Sequence, residues 1–295
     1  MIKLGLFFLL SSSVIFGANA SQEKMIYGVD NRKTLSELDP DTDAKTLELS
    51  QSVLAQIPNW RIEKTKEYLS VQTRDLQSGL KVCSDEKFLD LPLVSACTAF
   101  LVGPDLIVTA GHCIKDKYDC KKQTWVLDYD SKGDFVSPNG TISFPVENSY
   151  SCVDLISWSE NSKLDFALVK LDRVVDNRSP LKIRREGKVN SNESLMVIGH
   201  PLGLPKMIAD NIFIRDNSPI YAFKTNADTF SGNSGSPVFG LISGLVEGIL
   251  VRGDDDFSMD INQSCQRIQK CQDKECRGES VQRSTFLPFK YIPKI

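Results

Sequence analysis

Short apolar runs separated by turn residues are the feature that most restricts how this chain can fold. From residue 97 onward, strand-forming residues alternate with glycine, proline, asparagine and aspartate. Many short strands spaced in this way are typical of an antiparallel β-sandwich or β-barrel. The runs cover residues 97–102, 106–110, 164–171, 195–199, 220–224, 236–239 and 246–251. We therefore predict an all-β fold.

Three segments depart from this pattern. Residues 43–57 carry apolar side chains at helical spacing and stop before Pro58, which predicts a helix. Residues 21–42 are polar, and we expect an exposed lead-in there. Residues 253–283 are charged and rich in cysteine, which indicates an insertion.

The first twenty residues have the layout of a secretory signal peptide. Lys3 precedes an apolar run from Leu4 to Phe16, and Ala18-Asn19-Ala20 forms a small-x-small cleavage site. The apolar run is short for a membrane span of about 20 residues. We predict a signal peptide over 1–20, and a secreted chain, extracellular or periplasmic, without a later membrane span.

Cysteine content and composition agree with export. The chain has 8 cysteines, an even number that predicts up to four disulfides in an oxidising compartment. With 2 histidines and no C-x-x-C pair, nothing favours a zinc site. A net charge of −3 gives no reason to expect nucleic acid or an anionic membrane as partner.

Three motifs carry residues suited to nucleophilic catalysis. In chain order they are Thr-Ala-Gly-His-Cys with His112, Lys-Leu-Asp-Phe-Ala-Leu with Asp165, and Gly-Asn-Ser-Gly-Ser-Pro with Ser234. A serine hydroxyl becomes nucleophilic when an imidazole takes its proton and a carboxylate fixes the imidazole tautomer. Glycines beside the serine leave backbone N–H groups accessible to an oxyanion.

The order His, Asp, Ser resembles that of the trypsin/chymotrypsin-fold serine proteases. The Gly-Asn-Ser-Gly-Ser-Pro motif is most similar to the bacterial V8 (glutamyl endopeptidase)-like branch, over about residues 26–252. This resemblance implies two antiparallel β-barrels with the active site in the cleft between them. It also implies protein or peptide substrates, a monomeric chain, and no metal or organic cofactor.

The resemblance assigns a role to each motif residue. His112 would be the general base, Asp165 its orienting carboxylate and Ser234 the nucleophile. Gly232 and Ser234 would supply the N–H groups of the oxyanion hole. The family closes the loop beside its catalytic histidine with a disulfide, which here implies a Cys97–Cys113 pair.

Specificity depends on residues near Ser234. Asp228 stands six residues before Ser234, the register of the carboxylate at the base of the trypsin pocket, and Gly253 ends a segment that resembles the pocket wall. Leu250 stands where glutamate-specific relatives have histidine. We predict cleavage after Lys or Arg. The alternative is a V8-type glutamyl endopeptidase, in which Asp228 is bonded to its own loop. Asn233 replaces the aspartate of trypsin-like zymogens, so the activation switch of those zymogens is not available in the same form.

The expected organisation is a signal peptide over 1–20, a short pro-segment over 21–25, and one protease domain over 26–295. We expect His200 to be a structural histidine bonded to its loop. Two rival functions remain open. One is a catalytically silent homologue that acts as a binding protein, and the other is a non-proteolytic acyl hydrolase.

Overall fold

Strands dominate the part of the chain that the structure describes. A computed structural model describes residues 25–130, 140–272 and 275–295, so the predicted signal peptide lies outside them. The helices there are α1 Ala44–Ser50, α2 Leu76–Leu80 and α3 Lys117–Cys120. The predicted all-β fold is confirmed.

The strands follow one another closely along the chain. They are β1 Ile26–Tyr27, β2 Lys33–Thr34, β3 Val53–Pro58, β4 Ile62–Lys64, β5 Tyr68–Gln72, β6 Thr98–Gly103, β7 Leu106–Thr109, β8 Gln123–Val126, β9 Thr141–Pro145, β10 Ser149–Glu160, β11 Asp165–Leu171, β12 Leu195–Gly199, β13 Met207–Ile212, β14 Ile214–Asp216, β15 Ala222–Thr225, β16 Pro237–Gly240, β17 Val246–Arg252, β18 Phe257–Asp260, β19 Cys265–Ile268, β20 Lys270–Cys271 and β21 Glu279–Arg283.

The first half of the chain forms a closed barrel. Its six strands run in the order β10-β11-β7-β6-β3-β8, and the neighbouring strands are antiparallel. Buried apolar side chains fill it, among them Leu54, Leu101 and Trp125. Closure leaves no unpaired edge in this barrel, so its strands can be apolar along their whole length.

The second half forms an eight-stranded antiparallel sheet that curls into a half-barrel. Its strand order is β14-β15-β21-β17-β16-β12-β13-β2. Val197, Phe223, Leu250 and Val281 belong to the core on its inner side. β21, which comes last in the chain, lies between β15 and β17.

A third apolar cluster joins the two units. Phe100 and Val108 of the barrel pack in one core with Phe239 and Ile249 of the curled sheet. The molecule therefore has the two-barrel chymotrypsin-type architecture that the resemblance implied. Loops from both units meet beside this shared core.

The helix predicted over 43–57 is half wrong. α1 ends at Ser50, and β3 begins at Val53. β3 is buried on both faces because it lies between β6 and β8 in the closed barrel. A short run that is apolar on both faces cannot be assigned to helix or strand from spacing alone.

Two further expectations need correction. Residues 25–27 are buried, β1 pairs with β20, and β2 pairs with β13, so the described part of 21–42 is not simply an exposed lead-in. The 253–283 segment is not an insertion throughout, because its last residues form β21 in the main sheet.

Four disulfides join all eight cysteines. The pairs are Cys83–Cys265, Cys97–Cys113, Cys120–Cys152 and Cys271–Cys276. The first of them ties the N-terminal half of the chain to the segment that follows β17. Within the described ranges, no helix is both long and apolar enough to cross a membrane.

Candidate active site

His112 lies in a short 3₁₀ turn that follows β7. The turn, Gly111–Cys113, packs so closely on β10 that a Cβ at residue 111 would overlap the Ser159 carbonyl oxygen. The Trp158 indole N–H donates to the Gly111 carbonyl oxygen at 2.8 Å. Only glycine therefore fits before His112, and the barrel wall fixes the position of the histidine.

Asp165 begins β11 and holds His112 by two groups. Its Oδ1 accepts the His112 backbone N–H at 3.0 Å, and its Oδ2 lies 3.0 Å from the His112 Nδ1. A carboxylate can only accept here, so Nδ1 carries the proton and Nε2 is the basic nitrogen of the ring. Nε2 is buried and has no hydrogen-bond partner among the described residues.

The charge of Asp165 is stabilised where the carboxylate is almost fully buried. Burial raises the pKa of Asp165, but the hydrogen bonds and charge of His112, with the charge of Arg252, outweigh it and hold the pKa below its usual value. Arg252 Nη2 donates to Asp165 Oδ2 at 3.2 Å. The Asp165 backbone N–H donates to the Gln282 side chain on β21. Both units of the molecule thus position this carboxylate.

Ser234 lies on the loop between β15 and β16, in a segment with two glycines at positive φ. Gly232 has φ +91° and Gly235 has φ +89°, a region that side chains rarely adopt. A Cβ at residue 232 would overlap the His200 carbonyl oxygen, and one at residue 235 would overlap Thr98. This loop therefore packs tightly against the first barrel.

The nucleophile loop is bonded to both units. The Ser234 carbonyl accepts the Thr98 N–H at 2.8 Å, and the Gly235 N–H donates to the Leu250 carbonyl at 2.8 Å. Cys113 Sγ lies 3.8 Å from the Ser234 carbonyl oxygen. The structure therefore brings the His112, Asp165 and Ser234 segments to one place. It also joins Cys97 to Cys113, the disulfide that the resemblance implied.

Asp228 is not placed as the sequence predicts. Its Oδ1 accepts the Tyr27 N–H at 2.7 Å and its Oδ2 accepts the Asn31 N–H at 2.8 Å. Burial raises the pKa of Asp228 to about 7, against the effect of these two bonds. The carboxylate faces the N-terminal segment, because backbone N–H groups there need acceptors once the segment is buried. Its assignment to the base of a substrate pocket needs correction.

Two other residues, Asn233 and Asp256, make hydrogen bonds within and to the loop that carries Ser234. Asn233 is buried, and its Oδ1 accepts the Ser236 hydroxyl at 3.3 Å rather than a group of the N-terminal segment. Asp256, the last of three consecutive aspartates, accepts the Ser231 N–H at 3.1 Å. Two carboxylates, Asp228 and Asp256, thus position the loop that leads to Ser234.

Gly253 lies beside a carboxylate that sequence reasoning missed. A Cβ at residue 253 would overlap both oxygens of Glu279, which is fully buried at the start of β21. The Thr229 hydroxyl donates to Glu279 Oε2 at 2.7 Å. Glu279 was hidden in sequence because it follows a charged, cysteine-rich stretch. Sequence reasoning also missed Arg252. Its position next to Gly253 was the one sequence feature that could have pointed to it.

His200 is structural, as predicted. The ring is fully buried, donates from Nδ1 to the Leu204 carbonyl at 3.1 Å, and stacks on Tyr129 with ring centroids 5.3 Å apart. Burial lowers the pKa of His200 to about 3, so the ring stays neutral.

The fold and this arrangement are those of a protease of the chymotrypsin type. The sequence model of the trypsin-like peptidase domain family matches residues 97–249. This range covers more than half of the chain and includes the three motifs. The chain belongs to the trypsin-like peptidase domain family.

A curated relative and two solved structures are similar to this chain. The glutamyl endopeptidase of Bacillus licheniformis is 30% identical over 165 residues, which cover 50% of this chain and 46% of that protein. The chain therefore matches less than half the length of this relative. A structure of a Glu endopeptidase in complex with MPD has 17% identity and a TM-score of 0.48, and covers 90% of this chain and 97% of that one. A serine endoprotease from Yersinia pestis has 13% identity and a TM-score of 0.46, and covers 74% and 59%.

Proposed function

We propose that this chain is an exported serine endopeptidase that cleaves peptide bonds through an acyl-enzyme on Ser234. The observation that carries the proposal is the pairing of Asp165 with both the backbone and ring of His112, beside the Ser234 loop. This pairing fixes the imidazole in the tautomer that can accept a hydroxyl proton. Four disulfides and the leader-like 1–20 segment support export.

In the proposed mechanism, His112 Nε2 takes the Ser234 hydroxyl proton as Oγ attacks the carbonyl carbon of the substrate. The carbonyl oxygen becomes an oxyanion, which the N–H groups of Gly232 and Ser234 would stabilise. His112 then gives the proton to the leaving amine, and the acyl group remains on Oγ. Water, deprotonated by His112, attacks the acyl-enzyme and releases the acid.

Removal of the reacting groups tests this mechanism. Ser234→Ala and His112→Ala should each lower peptide hydrolysis by several orders of magnitude, and Asp165→Asn by about 10⁴-fold through the wrong imidazole tautomer. The measurement is kcat/KM on a chromogenic peptide, with folding checked by circular dichroism. Near wild-type hydrolysis in any of the three variants would contradict the mechanism.

The same assay separates the rivals. A binding protein would hydrolyse neither peptides nor esters, and an acyl hydrolase would cleave esters alone.

We also propose a short pro-segment over 21–25 before the protease domain 26–295. N-terminal sequencing of the secreted enzyme tests this, because the mature chain should then begin at Ile26.

For the residue before the cleaved bond, we infer Lys or Arg. The sequence supports this choice, because Leu250 replaces the histidine of glutamate-specific relatives. The alternative is cleavage after glutamate, which the name of the Bacillus licheniformis relative favours. Profiling of cleavage sites in a denatured protein mixture decides between them.

A further inference from the structure

Thr98 lies in the contact between the first barrel and the loop that carries Ser234. It is the first residue of β6, and it is fully buried. Its hydroxyl oxygen accepts the His200 backbone N–H at 3.1 Å. A hydroxyl has one proton to donate, and Oγ1 donates it to the Gly232 carbonyl oxygen at 2.8 Å. This buried hydroxyl therefore bonds to a backbone group on each side, and one of the two belongs to the Ser234 loop.

The backbone of Thr98 holds the same loop at a second point. Its N–H donates to the Ser234 carbonyl oxygen at 2.8 Å. One residue of the first barrel thus fixes the carbonyl groups on both sides of Asn233. The peptide unit that contains the Ser234 N–H lies between these two carbonyls, and the unit that contains the Gly232 N–H directly precedes the first of them. The two N–H groups proposed for the oxyanion hole therefore adjoin the peptide units that Thr98 holds.

Thr98 is also bonded to the strand that leads to His112. Thr109, the last residue of β7, is fully buried, and its hydroxyl donates to the Thr98 carbonyl oxygen at 2.6 Å. A Cβ at Gly235 would overlap both the Thr98 carbonyl oxygen and the Thr109 hydroxyl, so the loop packs directly on this pair. Thr98 therefore sets the position of the Ser234 loop relative to the strand that carries the proposed general base.

The peptide unit between Gly232 and Asn233 depends on such contacts for its orientation. Gly232 has φ +91°, and glycine enters positive and negative φ about equally readily, so its own conformation restricts this unit little. On one side of the unit, the Asn233 N–H donates to the Phe230 carbonyl oxygen at 2.9 Å, within the loop. On the other side, the Thr98 hydroxyl ties the Gly232 carbonyl to the first barrel. Without the hydroxyl, the unit can rotate and turn the neighbouring N–H groups away from an oxyanion.

We propose that Thr98 is a positioning residue for the oxyanion hole. Its hydroxyl holds the Gly232 carbonyl, so that the N–H groups of Gly232 and Ser234 stay directed at the carbonyl oxygen of the substrate. This inference rests on the proposed peptidase function. Because the two N–H groups act most strongly on the charge that develops in the transition state, loss of the hydroxyl should lower kcat and leave KM nearly unchanged.

Three replacements of Thr98 test the proposal on a peptide that the wild-type enzyme cleaves. Thr98→Val keeps the shape of the side chain and removes the hydroxyl. It should lower kcat by about 100-fold, the loss that a displacement of about 1 Å causes in a catalytic site, with KM within about 2-fold of wild type. Thr98→Ala, which places no methyl group beside Gly232, should repeat this loss. Thr98→Ser restores the hydroxyl and should bring kcat back to within about 5-fold of wild type.

A smaller folded fraction also lowers kcat, so inhibitor affinity provides a second measurement that does not depend on this fraction. A peptide aldehyde forms a hemiacetal with Ser234 whose oxygen lies in the oxyanion hole, whereas the corresponding peptide alcohol has no carbonyl carbon to attack. By titration calorimetry, Thr98→Val should weaken aldehyde binding by about 100-fold and change alcohol binding by less than about 2-fold. Thr73→Val is the matched control, because the buried Thr73 hydroxyl donates to the Leu93 carbonyl oxygen at 3.0 Å instead. It should leave both affinities unchanged.

The outcomes separate this inference from the proposed function. An active wild-type enzyme with unchanged kcat in Thr98→Val, or with aldehyde and alcohol binding weakened equally in that variant, would overturn the role of Thr98 alone. A Thr98→Ser variant as impaired as Thr98→Val would do the same. A wild-type protein that cleaves no peptide and binds the aldehyde no more tightly than the alcohol would overturn the proposed function and this inference together.

Discussion

The Asp165 carboxylate is shared by an imidazole and a guanidinium. His112 Nδ1 and Arg252 Nη2 both contact Oδ2, at 3.0 Å and 3.2 Å. A cation at this position competes with the protonated imidazole for the same negative charge. Arg252 should therefore affect catalysis through electrostatics while remaining a positioning residue.

Replacement of Arg252 tests this sharing. Arg252→Gln should lower kcat/KM by up to about 5-fold, the equivalent of one partly exposed ion pair, because Asp165 loses a group that holds its carboxylate in place. Arg185→Gln, which removes contacts to the tail at Ile292, is the control and should leave kcat/KM unchanged. Equal kcat/KM values for Arg252→Gln and wild type would contradict the prediction.

Asp228 makes stability depend on pH. Its pKa is about 7 in the folded protein and near 3.8 in the unfolded chain, so the folded state binds more protons between these values. The free energy of unfolding should therefore fall as pH rises from about 4 to 7, through this group. Urea unfolding at pH 5 and pH 8 measures the fall. Asp228→Asn should have the smaller fall of the two proteins. An equal pH dependence in both would refute the linkage.

At the scale of elements, the Cys97–Cys113 disulfide connects β6 to the His112 turn, which touches the Ser234 loop. Replacing both cysteines with alanine should lower the free energy of unfolding by about 2–4 kcal/mol. Peptide hydrolysis should also fall at temperatures where the variant is folded, because the His112 turn loosens. Urea titration measures the loss of stability, and kcat/KM at about 20 °C measures the loss of activity.

The Cys120–Cys152 pair offers the matched control. It connects α3 to β10, at the far end of the same barrel wall. Removing it should cost similar stability and leave kcat/KM of the folded protein unchanged. Equal losses of activity in both double variants would show that the His112 turn does not depend on its own disulfide.

Elements were predictable where local pattern and packing agree. β7, β11 and β12 match their predicted runs within a residue or two, since turn residues bound each of them. β3 was mistaken for helix because burial on both faces removes the period-two signal. β21 was missed because only its partners β15 and β17, distant along the chain, show that it belongs in the sheet.

At the scale of the whole molecule, the candidate site was predictable in part. The His112, Asp165 and Ser234 motifs are local, so sequence shows each of them. Asp228 was assigned by register to Ser234, but its contacts come from the N-terminal segment, which sequence does not place. Glu279 lies beside Gly253 only because β21 inserts beside β17. Contacts between distant segments are what motif spacing cannot give.

The position of β21 has a consequence for the order of synthesis. β15 and β17 are neighbours of β21 in the sheet, yet both are translated before the cysteine-rich stretch that precedes it. A nascent chain that already carries His112, Asp165 and Ser234 still lacks the strand that joins β15 to β17 and holds Gln282 against Asp165. Domains complete their folding as units once such distant pairings can form. The candidate site of a nascent chain is therefore unfinished until residues 279–283 have emerged from the ribosome.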